Sequence, residues 1–112
     1  MKRIEAVIRP SRLHDIKGEL SGMGIHGLTV IEAGGFGRQR GHTEMFRGNE
    51  YDVDIIPKLI VSLVTKNDLV DKIVEKITSV CYTGEVGDGK IFISPVEEVV
   101  RIRTGEKGEA AL

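Results

Sequence analysis

A chain of 112 residues, 40% hydrophobic and 29% charged, fits one domain, large enough to bury an ordinary core without disulfide or metal staples. Its formal net charge of -1 supplies no global field for nucleic acid or an anionic membrane, so an anion site has to be local. Aromatic residues at 4% leave few stacking platforms, which argues against a nucleic-acid-binding module.

The longest apolar runs, such as Leu59 to Val64, fall far below the roughly 20 residues that span a bilayer, and the first ten residues, MKRIEAVIRP, lack the apolar stretch of a signal peptide. A cytoplasmic protein is expected. Cys81 is alone, which excludes an intramolecular disulfide and a thiolate cluster within one chain. His14, His26 and His42 match no zinc spacing, and no structural metal is expected.

Lys2 to Arg9 alternates, with Ile4, Ala6 and Ile8 on one face, and reads as a strand. Pro10 and Ser11 supply a stop and an N-cap, and Leu13, Ile16, Leu20 and Met23 form one helical stripe closed by Gly24. Leu28 to Ala33 is β-branched and apolar, a second strand. Gly34 to Asp54 then runs GGFGRQRGHTEMFRGNEYDVD, with Met45 and Val53 its only aliphatic side chains. That is too polar for core. Structureless loops longer than about 12 to 15 residues are uncommon and usually functional or disordered, so this segment is the expected working part and the rest its platform. Lys58 to Thr65 is a third strand. Asn67 or Asp68 caps a second helix with the stripe Val70, Ile73, Val74, Ile77, Val80 and Cys81. Ile91 to Ser94 is a fourth strand and Val99 to Arg103 a short fifth extended piece.

The order is two βαβ units in series, an α+β, ferredoxin-like βαββαβ arrangement with an antiparallel sheet and both helices on one face. On the other face Val7, Thr29, Ile31, Val61 and Leu63 are too apolar for water, and a partner subunit is the simplest cover. The residue period does not choose between dimer and trimer.

Three glycine-rich or basic segments fall at strand ends: GGFGRQ, TGEVGDGKIF and RIRTGE. Glycines let successive backbone N–H groups converge on phosphate oxygens, and Lys90, Arg101 and Arg103 add cationic donors suited to a polyphosphate. The plainer alternatives stay open. Asp88-Gly89 is also an ordinary hairpin-turn signal, Arg101 and Arg103 could form a solvated stripe, and Gly35 and Gly37 could simply end a strand. GDGK is neither a Walker A motif nor a dinucleotide fingerprint. The residues alone lead to an anion-binding domain with a long polar loop.

Read in order, these segments resemble the PII nitrogen-regulatory signal-transduction proteins over essentially the whole chain. TGEVGDGKIFI at 83–93 is similar to the family's C-terminal signature, RIRTGEKGE at 101–109 to its C-loop, and GFGRQRGHTE at 35–44 to the base of its T-loop. FRGNEY at 46–51 departs from the usual modified tip: Phe46 replaces Tyr, and Asn49 stands where the family has Ala or a phosphorylated Ser, which excludes serine phosphorylation there. Tyr51 remains a candidate for uridylylation. The resemblance implies a single domain over 1–112 with a T-loop at about 37–55, a B-loop at about 82–90 and a C-loop at about 101–109.

It further implies a homotrimer binding ATP or ADP in clefts between subunits. Nucleotide contacts would come from Gly35, Gly37, Arg38, Gly87, Asp88, Gly89, Lys90, Arg101 and Arg103, with Thr29 and Val64 near the adenine. Gln39, Lys58 and Gly87 match the 2-oxoglutarate site, where the keto acid chelates Mg²⁺ held by ATP phosphates and Gln39. A Gln carbonyl suits Mg²⁺, and an ammonium suits the distal carboxylate; without the resemblance Lys58 would read as a solvated charge after Pro57. The T-loop is expected to be mobile when free, since fixing each residue's backbone costs roughly 1 to 2 kcal/mol, and to be gated by ligands at its base. Arg47 resembles the arginine with which transporter-binding members plug an ammonium channel, which implies a cytoplasmic regulator of enzymes or of an ammonium transporter, reaching the membrane reversibly. An enzyme reading would make the site a nucleotide hydrolase, yet no carboxylate is paired with a water-activating base, leaving slow ATP hydrolysis at most.

Overall fold

The computed structural model describes the backbone of residues 1–36, 42–46, 49–53 and 55–112, and the side chains of 1–36 and 55–112. Strand alternation sets the core: Ile4, Ala6 and Ile8 of β1 (Lys2–Ile8) all point toward the helices and are buried. From α1 (Leu13–Gly22) come Ile16 and Leu20, and from α2 (Val70–Cys81) Val70, Ile73, Ile77 and Cys81. The remaining predicted stripe positions, Leu13, Met23, Val74 and Val80, pack at the margin of this cluster. Each fully buried Ile or Leu contributes about 1.5–3 kcal/mol through area removed from water.

The sheet has the order β2-β5-β1-β6, with β2 Thr29–Gly35, β5 Ile56–Thr65 and β6 Lys90–Pro95, and every neighbouring pair is antiparallel. Two helices on one face of this sheet make the ferredoxin-like arrangement expected from the element order. The second half of the polar segment is not structureless. It holds β3 (His42–Phe46) and β4 (Asn49–Val53), a two-stranded antiparallel sheet that pairs only with itself among the described residues.

Four local expectations are corrected. Ser11 is not a cap, because Pro10–Arg12 form a 3₁₀ turn before α1; likewise Asn67–Leu69 precede α2, with no side-chain cap from Asn67 or Asp68. Val61 and Leu63 face the helices rather than the open side, since register pairs Val61 with Ala6 and Leu63 with Ile4. Ile60, Ser62 and Val64 take the open face in their place. The extended piece at 99–103 is a turn held by one bridge, Val100 to Lys107, and by the Gly105 and Gly108 N–H groups donating to Arg101 and Val99 carbonyls at 2.8 and 2.9 Å.

Gly24 closes α1 as expected. With φ +84 it lets its own N–H reach the Ser21 carbonyl at 3.0 Å and that of Ile25 reach Leu20 at 2.9 Å, the paired bonds of a Schellman motif.

Candidate functional site

The 82–89 loop joins α2 to β6, so it lies at the sheet end where β1 leaves for its turn and β2 finishes. Its shape comes from inside. Asp88 Oδ2 accepts the N–H groups of Thr83 and Gly84 at 2.7 and 2.9 Å, and Oδ1 accepts the Thr83 hydroxyl and the Arg9 guanidinium, the latter at 2.8 Å. Thr83 Oγ1 accepts the Glu85 N–H at 3.1 Å. These donors, the Thr83 hydroxyl and N–H foremost and Arg9 last, hold the Asp88 carboxyl down at about 2. Gly84, Gly87 and Gly89 have φ of 85, 106 and 104°, the left-handed values that reverse the chain here.

At Gly89 the requirement is doubled, since a Cβ built there would lie 1.7 Å from the Val7 carbonyl oxygen. The turn reading of Asp88-Gly89 is therefore half right: the residues make a tight turn, but it leads from a helix into a strand rather than between two strands of a hairpin.

Beside this loop is an open cavity of about 660 Å³ whose lining includes Gly35, Lys58, Gly87, Gly89 and Lys90, with Phe36, Val86 and Phe92 as apolar wall. Lys58 is buried, and its Nζ donates to the Gly87 carbonyl at 2.8 Å. Burial lowers its pKa, the Arg9 charge lowers it further, and Asp88 opposes both. A Cβ at Gly35 would come within 3.2 Å of Lys58 Cγ, so the small residue ending β2 makes room for the lysine stem. The cavity thus combines two lysines with the backbone of three glycines, a donor set suited to a polyanion.

The structure gathers five predicted site residues there and separates others. Thr29 and Val64 lie on the open sheet face away from the cavity. The row containing Lys90 runs through Val7, Ile60 and Ile31; Val64 is four residues along from Ile60, Thr29 two from Ile31. At about 3.3 Å per residue and 4.8 Å per strand, each sits roughly 16 Å from Lys90. Arg101 is tied into the C-terminal turn, donating to Glu106 Oε1 at 2.9 Å and to the Leu112 carbonyl at 3.1 Å, while Arg103 is exposed. Gly37, Arg38, Gln39 and Arg47 lie outside the described residues; Tyr51 falls in β4, where only backbone is described.

The model of the family "Nitrogen regulatory protein P-II" matches residues 1–106. The chain belongs to this family. It is 55% identical to the P-II protein of Azospirillum brasilense, 55% to that of Microchaete diplosiphon and 52% to that of Pasteurella multocida, in each case over 112 residues and the full length of both chains. These relatives are named as regulatory proteins rather than enzymes, and the family places the chain in nitrogen-regulatory signalling. Among the described residues no helix is long and apolar enough to cross a membrane.

Arg9 and Thr83 carry parts of the site that the sequence alone did not expose. Arg9 reads there as one polar position of an alternating strand, and its partner lies 79 residues away. Thr83 is visible only as the residue ahead of Gly84. A hydroxyl five residues before an Asp in a glycine-rich loop is the signal that could have found it.

Proposed function

We propose that this P-II chain is a ligand-gated signal-transduction protein. ATP or ADP binds with its phosphates at the 82–90 loop, and 2-oxoglutarate binds with Mg-ATP. The 37–55 segment presents the result to target enzymes or to an ammonium transporter in the cytoplasm. The observation that carries this reading is the convergence of Gly35, Lys58, Gly87, Gly89 and Lys90 on one cavity. The lowering of the Lys58 pKa by burial and by Arg9 supports it, because an anion beside Lys58 would offset both.

In this reading Gly87, Gly89 and Lys90 hold phosphates, Lys58 takes the distal carboxylate of 2-oxoglutarate, and Gln39 and Arg38 act from the base of the 37–55 segment. Mg²⁺ would be held by nucleotide oxygens with the Gln39 carbonyl. The separation of Thr29 and Val64 from Lys90 favours a homotrimer in which the adenine and the phosphates of one nucleotide are held by adjoining subunits. Arg101 and Arg103 then reach phosphates from the C-terminal turn. Arg47 is the channel-facing residue if the target is a transporter, and Tyr51 the modification site if a uridylylating enzyme acts on it.

Calorimetry with ATP, ADP and 2-oxoglutarate, singly and together, tests the proposal. Mg-ATP should bind alone, 2-oxoglutarate only in its presence, and ADP should not substitute. Lys90→Ala should weaken ATP about ten- to hundredfold, the range of one charge-assisted contact. Tight 2-oxoglutarate binding without ATP or magnesium would overturn the site.

A further inference from the structure

We infer that Arg9 and Asp88 are positioning residues of the anion site: paired with each other and with Thr83, they lock the 82–89 loop so that the Gly87 and Gly89 backbone faces the cavity, and neither side chain is a ligand contact. The inference deepens the nucleotide reading above and rests on it for the identity of the ligand.

The first observation is saturation. An ionised carboxylate offers about four lone-pair sites, and Asp88 receives four donors: the Thr83 N–H, the Gly84 N–H, the Thr83 hydroxyl and Arg9 Nη1. It has no acceptor left for a magnesium ion or an attacking water. A bare carboxylate would also repel phosphates, whereas here its charge is spent on the loop and on Arg9.

The second observation is the reach of Arg9. Its Nη1 donates to Asp88 at 2.8 Å and its Nη2 to the Val86 carbonyl at 3.0 Å, so one rigid fork grips the loop at two residues flanking Gly87. The paired side chains retain 21% and 22% of their exposure, so the pair is partly shielded from solvent. Arg9 itself follows β1 directly and is fixed by the 3₁₀ turn beginning at Pro10, so the loop is fastened to the sheet rather than to another loop.

The third observation is placement. Asp88 lines an adjoining, largely apolar cavity of about 350 Å³ between α2 and the sheet, with Ile77 and Cys81; this cavity shares Val7, Gly89 and Lys90 with that of Lys58 and Gly87, but Asp88 lines only the former. Arg9 lines neither. The pair works from behind the loop.

The test uses the full chain and two measurements: Mg-ATP affinity by calorimetry, and amide hydrogen exchange at Gly84 without ligand. Arg9→Gln and Asp88→Asn should each weaken Mg-ATP about tenfold or more, and the double variant should be no weaker than the poorer single, because both break one unit. Thr83→Ser should keep the affinity and Thr83→Val, nearly isosteric, should lose it. Gly84 exchange should accelerate in Arg9→Gln and Asp88→Asn while core amides stay protected. Unchanged affinity in both single variants, or losses that add in the double, would overturn the inference. Should the native chain take up no Mg-ATP, the nucleotide reading fails by itself and exchange alone decides: unaltered Gly84 exchange in both variants refutes positioning, and acceleration upholds it.

Discussion

At Gly89 backbone conformation and space make the same demand. A φ of +104° is one that residues with a side chain rarely adopt, and the Cβ position is occupied by the Val7 carbonyl oxygen. Gly89→Ala must therefore push the loop off β1, at about 2–4 kcal/mol for strain and overpacking combined. Urea unfolding should show that loss, and Mg-ATP binding should fall with it. Asp88 gives a pH signature at the same place. Its carboxyl titrates near 2 in the folded chain against an ordinary 3.8, so its stabilisation is complete above the unfolded value and is lost as pH falls through the folded one. Melting temperatures followed from about pH 4 down to about pH 2 should drop less steeply in Asp88→Asn than in the native chain. The glycines and Lys90 were legible in the sequence because their chemistry is local. Arg9 was not, since nothing local distinguishes a strand-end arginine that grips a loop from one that is solvated.

Elements were legible wherever one face alone is buried. The stripe of α2 and the alternation of β1 follow from single-sided burial, and both emerge as read. β5 was harder. It lies between β2 and β1 and carries apolar side chains on both faces, so alternation blurs, and only the pairing of Val61 with Ala6 fixes which parity meets the helices. Neither helix begins at its capping candidate, because Pro10–Arg12 and Asn67–Leu69 each insert a 3₁₀ turn that leaves the candidate outside the α-helix. The β3–β4 pair escaped because HTEMF and NEYDV are too polar to announce a buried face. That same polarity supports a prediction. Deleting Gly41 to Asp52 removes β3 and most of β4, while the core cluster of the described residues is built from β1, β5, α1 and α2. Because loop-closure entropy depends weakly on length, thermal melting should change little while binding to a regulatory target is lost, as read by co-purification. A large drop in melting temperature would show that the hairpin is part of the scaffold.

On the molecule as a whole, the helices cover the middle of one sheet face, leaving Val30 40% and Ile93 49% exposed on its edge strands, and among the described residues no helix packs on the other. The helices bury Ile4, Val61 and Leu63, whereas the opposite face leaves Ile31 51% and Phe92 55% exposed, with Thr29, Ile60 and Val64 between or beside them. Arg3, Glu5, Ser62 and Lys90 share this face with them; exposed Ile31 and Phe92 nevertheless suit an interface, and under the proposed function a second copy of the chain would also bring Thr29 and Val64 to a nucleotide held at Lys90. Assembly and ligand binding should then fail together. Ile31→Glu places an unpaired carboxylate where an apolar contact is expected, a cost large enough to break a subunit interface. Light scattering should give about three chains per particle for the native protein and one for the variant at micromolar concentration. Circular dichroism should be unchanged, because Ile31 lies outside the core cluster. Mg-ATP affinity should fall in the monomer although Gly87, Gly89 and Lys90 are all intact. A native chain that scatters as a monomer yet binds Mg-ATP tightly would refute the shared cleft, and with it the assignment of Thr29 and Val64 to the adenine.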